Sequence, residues 1–179
     1  MKKPNPLPNF GASLKGKSAG PALPAAPPDA PASAPAISRP RILLVDDDDG
    51  VRNSLGELLA GEGYCVLPAS DGRQALDLIA TTDVDLVLLD LNMPVKNGWD
   101  TFERLSAEHP LVPVAVITAR PNQLFTAVSA GVGALLEKPL DMPMLIRTVK
   151  RLLAESSEAR LARLAGRETE FHYSAAQTQ

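Results

Sequence analysis

The chain is poor in the residues on which many chemistries depend. It has one cysteine, two histidines and one tryptophan, and aromatic side chains make up only 4% of its 179 residues. A single thiol excludes an intramolecular disulfide and any cysteine cluster around a metal. Cys65, in the strand-like Tyr64-Cys65-Val66-Leu67, is expected to be a small buried hydrophobe rather than a reactive thiol. Neither histidine has a catalytic setting: His109 stands in a helix-ending His-Pro, and His172 lies in the polar C-terminal stretch. No apolar run reaches the roughly 18 residues of a membrane-spanning helix. Lys2-Lys3 are not followed by the apolar core of a secretion signal. A cytoplasmic protein without membrane contact is expected. Gly61-Glu62-Gly63 and Gly131-Val132-Gly133 lack the G-x-G-x-x-G spacing of a dinucleotide loop and read as helix terminators.

Proline, by contrast, is plentiful and unevenly placed. Of its 17 copies, ten fall in residues 1–40, among alanine, serine and glycine. Proline has no backbone donor, so this stretch sustains neither a helix nor a central strand. It also has few large apolar side chains to offset ordering entropy. Residues 1–40 are expected to be a disordered tail. Lys2, Lys3, Lys15, Lys17 and Arg39 against Asp29 make it basic within a chain of net charge −3. These charges, with Phe10 as their one aromatic neighbour, are a thin basis for nucleic-acid binding.

From Arg41 onward strand and helix patterns alternate, the signature of βαβ units. Strands are expected over 41–46, 64–69, 84–90, 114–118 and 134–137. Between them the apolar spacing predicts helices over 49–60, from Gly72 to near Thr81, over 99–108 and over 122–130, with a fifth from Met142 past Leu153. This is a (βα)5 arrangement: a doubly wound, parallel five-stranded sheet of the flavodoxin-like kind. It is expected to occupy 41–154. Residues 155–179 are expected to be a short extension, partly helical around Ala159–Ala165 and then frayed. That remainder is too short for a winged helix or a helix-turn-helix, so no DNA-binding domain is expected.

Four strand ends carry polar residues: Asp46-Asp47, Asp90, Thr118 and Lys138-Pro139. Doubly wound sheets bind ligands beyond the carboxyl ends of their strands, where the strand order reverses. The four sets should therefore meet at one site. Carboxylates brought so close repel one another unless a cation joins them. The Asp run needs apportioning: Asp48 fits the N-cap of the first helix and Asp49 its first turn, where the helix dipole favours negative charge.

The opening Ile-Leu-Leu-Val-Asp-Asp-Asp, the central Leu-Leu-Asp-Leu-Asn-Met-Pro-Val-Lys-Asn-Gly, the Val-Ile-Thr-Ala and the Lys-Pro, in this order, resemble the receiver domain of bacterial two-component response regulators. The resemblance implies that Asp90 accepts a phosphoryl group from a histidine kinase or a histidine phosphotransfer protein. It implies Mg²⁺ held by Asp46, Asp47, Asp90 and the backbone carbonyl of Asn92, a hard cation among oxygen ligands. Lys138 would pair with Asp90 or the phosphoryl oxygens, preceding a cis bond to Pro139. Thr118 would donate its hydroxyl to the phosphoryl group, beside the small Ala119, with Arg120 at the site entrance. Two features depart from the family. The position three before Lys138, usually aromatic there, is Leu135, and the interval from Thr118 to Lys138 is shorter than usual. Both bear on readout rather than on phosphoryl chemistry.

The expected function is a phosphoaccepting switch that binds a downstream protein or relays the phosphoryl group onward, not an enzyme acting on other substrates. The alternative is an Mg²⁺-dependent phosphohydrolase with an aspartyl nucleophile. That chemistry normally needs an acid/base Asp two residues after the nucleophile, where Asn92 stands.

Overall fold

The structure, a computed structural model, describes residues 39–93, 98–120, 122–167 and 171–175. The expected disordered tail, apart from its last two residues, lies outside them, as do Pro94 and Asn97 of the central motif. Strands β1 (Arg41–Val45), β2 (Cys65–Ala69), β3 (Leu86–Asp90), β4 (Val114–Thr118) and β5 (Ala134–Glu137) alternate with helices. These are α1 (Asp49–Gly61), α2 (Gly72–Thr81), α3 (Gly98–Glu108), α4 (Leu124–Ser129) and α5 (Met142–Leu153). Two further elements follow, α6 (Ser157–Leu164) and β6 (His172–Ser174).

The sheet is parallel throughout, in the order β2-β1-β3-β4-β5-β6. Every residue of β3 and β4 is buried, as the continuous apolar runs predict for strands covered on both faces. Alternate side chains feed two cores. Leu43, Val45, Val87, Leu89 and Val116 meet α2 and α3 through Leu76, Ile79, Phe102 and Leu105. Ile42, Leu44, Leu86, Leu88 and Ile117 meet α1 and α5 through Leu55, Leu59, Leu145 and Val149.

Local sequence explains the helix ends. Asp48 caps α1 by accepting from Val51 N–H at 3.0 Å, and Asp141 caps α5 by accepting from Met144 N–H at 2.8 Å. Gly131 follows α4 at φ 75°, a conformation that a side chain resists. The chain leaves β1 for β2 on one side and returns as β3 on the other, so the order reverses between β1 and β3. Asp46 and Asp90 stand at that switch point.

Three expectations are corrected. The sheet has a sixth strand, in which His172, Tyr173 and Ser174 pair with Ala134, Leu135 and Leu136 of β5. The fifth helix does not continue: Ser156 accepts from Ala159 N–H at 3.1 Å and starts α6 afresh. Cys65 is exposed rather than buried, because β2 is an edge strand with only Ala69 fully covered.

Candidate functional site

The four polar strand ends converge. Asp46 follows β1, and Asp90 ends β3; both are buried, at 1% and 3% exposure. Lys138, just past β5, bridges them: its Nζ lies 2.7 Å from Asp90 Oδ2 and 3.1 Å from Asp46 Oδ2. The remaining carboxylate oxygens are held by backbone. Asp48 N–H donates to Asp46 Oδ1 at 2.9 Å, and Asn92 N–H donates to Asp90 Oδ1 at 2.9 Å. Both carboxylates are thus fixed in direction by one ammonium and one amide each.

Asp47 sits in the bend after Asp46 and is exposed. Ligand oxygens of Asp46, Asp47 and Asp90 all lie within 4.8 Å of one another. Oxygens on one octahedral Mg²⁺ stand about 3 to 4 Å apart, so this donor set suits a small hard dication after modest closure. Asn92 places its side-chain Oδ1 in a buried position without a hydrogen-bond partner, a further oxygen beside Asp90.

Thr118, fully buried, ends β4 next to β3. Its Oγ1 accepts from Arg120 N–H at 2.9 Å, which leaves the hydroxyl proton for another acceptor. Ala119 and the Arg120 side chain are exposed. The register sets Thr118 against Glu137, and Lys138 N–H donates to Thr118 O at 2.8 Å, so the ends of β4 and β5 are joined. The Lys138–Pro139 peptide is cis. Leu135 lies deep in the core, away from solvent.

Electrostatics follow from burial and pairing. Burial pushes the Asp46 carboxyl above the usual carboxylate value, against the lowering pull of Asp48 N–H and Lys138. For Lys138, burial pulls downward, but hydrogen bonds and charge from Asp90 and Asp46 outweigh it and hold the ammonium above its ordinary value. Among the described residues, the Lys138 ammonium is the cation paired with this group of three carboxylates.

Sequence reasoning missed Arg52. From α1 it donates through Nη1 to the Asp46 carbonyl at 2.6 Å, and it pairs with Asp49. The signal was present as an arginine one turn past a run of aspartates, but that spacing reads equally as a surface ion pair. Trp99 packs edge-on against Phe102 with ring centroids 5.7 Å apart, and its Nε1 also donates to Gln123 at 3.1 Å.

Comparison with known proteins agrees with this geometry. The response regulator receiver domain matches residues 42–150. The transcriptional regulatory protein CpxR of Escherichia coli (strain K12) is 42% identical over 118 residues, which are 65% of this chain and 50% of CpxR. The chain spans about half the length of the curated relatives it matches. Among solved structures, a CheY-like receiver domain protein from Methanospirillum hungatei JF-1 has a TM-score of 0.63 at 29% identity, covering 68% of this chain and 98% of its own. The response regulator TrrA of Thermotoga maritima, solved in complex with Mg(2+)-BeF, has a TM-score of 0.59 at 29% identity, covering 63% and 98%.

One expectation is overturned here. No DNA-binding domain was expected, yet a relative at 42% identity is a transcriptional regulatory protein. The match covers 50% of that relative and says nothing of output here, so the shortness of the remaining chain is no ground for that exclusion.

Proposed function

Because this chain belongs to the response regulator receiver domain family, we propose that it is a phosphoaccepting switch with Asp90 as the acceptor. An Asp90 carboxylate oxygen attacks the phosphorus of a phosphohistidine on a histidine kinase or phosphotransfer protein. The new P–O bond forms as the P–N bond breaks, and the imidazole nitrogen leaves with the electron pair and takes up a proton. The observation that carries this reading is Lys138 Nζ at 2.7 Å from a buried Asp90 carboxylate.

Asp46, Asp47 and Asp90, with the Asn92 carbonyl, would hold Mg²⁺, which neutralises charge between the anionic nucleophile and the anionic phosphoryl group. Lys138 offers a compact cation to the phosphoryl oxygens once it gives up Asp90. The hydroxyl of Thr118 has a proton to donate at the adjacent strand end. The TrrA complex with Mg(2+)-BeF supports this reading, as a relative with a cation and a phosphoryl-like group together. A phosphohydrolase reading is weaker, since Asn92 has no titratable group for acid/base work. We place this chemistry in the cytoplasm; no helix among the described residues is long and apolar enough to cross a membrane.

Incubation with acetyl phosphate and Mg²⁺ should add one phosphoryl mass to the intact protein. Asp90→Asn or EDTA should abolish it, and equal labelling of Asp90→Asn would dismiss Asp90 as the acceptor.

A further inference from the structure

The turn that carries Asp46 and Asp47 is held by a residue of the following helix. Arg52 reaches back past the N-cap of α1, and its Nη1 donates to the Asp46 carbonyl at 2.6 Å. The same guanidinium pairs with Asp49 through Nη2. Asp49 is 82% exposed, and an exposed pair at such spacing contributes little. The carbonyl contact is of another kind, because the Arg52 side chain is only 14% exposed and its target is the peptide that joins Asp46 to Asp47.

A peptide unit is planar, so a donor fixed on its oxygen fixes the plane and the direction in which the next residue departs. The next residue is Asp47. Other bonds of the turn act on its flanks: Asp48 N–H on Asp46 Oδ1 at 2.9 Å, and Val51 N–H on Asp48 Oδ1 at 3.0 Å. Asp47 itself is exposed and must be aimed by its backbone. Arg52 acts on that backbone from the helix side.

We propose that Arg52 is a positioning residue for the divalent-cation site, holding the Asp46–Asp47 peptide so that the Asp47 carboxylate faces those of Asp46 and Asp90. This rests on the reading of the site as an Mg²⁺-assisted phosphoacceptor. A guanidinium near three carboxylates also repels a dication, so the two possible roles differ in sign. Charge alone predicts tighter cation binding when Arg52 is neutralised. Positioning predicts weaker binding, and also predicts that lysine fails to substitute, because a rotatable point-charge ammonium on a flexible stem does not reproduce the rigid planar fork that holds the carbonyl.

The test is calorimetric titration of Mg²⁺ into the full chain, without phosphodonor, for the parent, Arg52→Gln and Arg52→Lys. Both variants should bind about tenfold more weakly, the scale of losing a group that orients metal ligands. Their urea midpoints in EDTA should stay at the parental value, and acetyl phosphate labelling should recover at saturating Mg²⁺. Unchanged or tighter binding in Arg52→Gln, or parental binding in Arg52→Lys, overturns the proposal. So does a fall in the urea midpoint that matches the loss of binding. If the parent binds Mg²⁺ and the variants weaken it, yet the parent takes no phosphoryl group, the phosphoacceptor reading fails and the positioning role stands.

Discussion

At the scale of single residues, Lys138 carries the largest consequence. Among the described residues, its ammonium is the cation paired with two carboxylates that are almost fully removed from water. Replacing it with alanine leaves both charges buried and uncompensated, at a cost of about 3 kcal/mol near neutral pH without divalent cation. The pH dependence follows from Asp46. A carboxyl whose folded pKa exceeds its unfolded value stabilises the fold when protonated, below the unfolded value, and loses that contribution as pH rises through the folded one. Burial already raises Asp46 with the ammonium beside it, and removing the ammonium raises it further. The stability deficit of Lys138→Ala should therefore be small near pH 5 and grow toward about pH 8, as the Asp46 carboxyl is forced to ionise. Urea unfolding of parent and variant in EDTA at both values measures it. An equal deficit at both would mean that Lys138 fills space rather than neutralising charge.

At the scale of elements, the strand ends and their caps were legible, and the C-terminal extension was not. Asp48 as a cap and Gly131 as a helix terminator follow from local chemistry that acts within a few residues, whereas the cis bond at Lys138-Pro139 was legible only through the family resemblance. The extension depends on distant contacts. Arg160 and Arg163, at 1% and 6% exposure, both donate to the Gly131 carbonyl, at 3.3 and 3.2 Å. Arg160 also donates to the Pro110 carbonyl at 3.2 Å, and Arg163 is paired with Glu155. Burial, with Arg163 nearby, lowers the Arg160 pKa to about 10, still charged at neutral pH. Arginines in a polar stretch read as solvated from sequence, and three residues of β6 are too few to show a period. The same limit hid the exposure of Cys65, since edge position is a property of strand order. The clasp and the strand should differ in weight. Arg160→Ala leaves the Pro110 carbonyl without its donor, takes one of two donors from the Gly131 carbonyl and opens a void, costing about 3 kcal/mol. Tyr173→Pro removes a backbone N–H from a short edge strand together with the side chain that bonds Glu137, costing about 1 kcal/mol. Thermal melts of the two variants rank them, and a larger loss in Tyr173→Pro would show that β6, not α6, anchors the extension.

At the scale of the whole molecule, the question is how a change at Asp90 reaches the surface. Leu135 has no ring to rotate and is fully buried beneath β6 pairing, so β5 is a poor messenger. The route left open runs through the β4 end. Thr118 Oγ1 accepts from Arg120 N–H, Asn122 takes a left-handed φ of 61°, and Gln123 then begins α4. Gln123 in turn accepts from Trp99 Nε1 at 3.1 Å, across 24 residues of chain. Turning the Thr118 hydroxyl toward a phosphoryl group disturbs its bond to Arg120 and shifts the balance of loop conformations at Gln123. Trp99 is the only tryptophan, so the tryptophan emission comes from this one indole. Phosphorylation by acetyl phosphate should change that emission in the parent. Gln123→Leu, which cannot accept from the indole, should begin near the phosphorylated value and change little. Leu135→Tyr should keep the parental response, since the route bypasses that position. Complete phosphoryl mass gain with unchanged Trp99 emission in the parent would rule this route out, and the signal would then have to leave through the α1 side of the site.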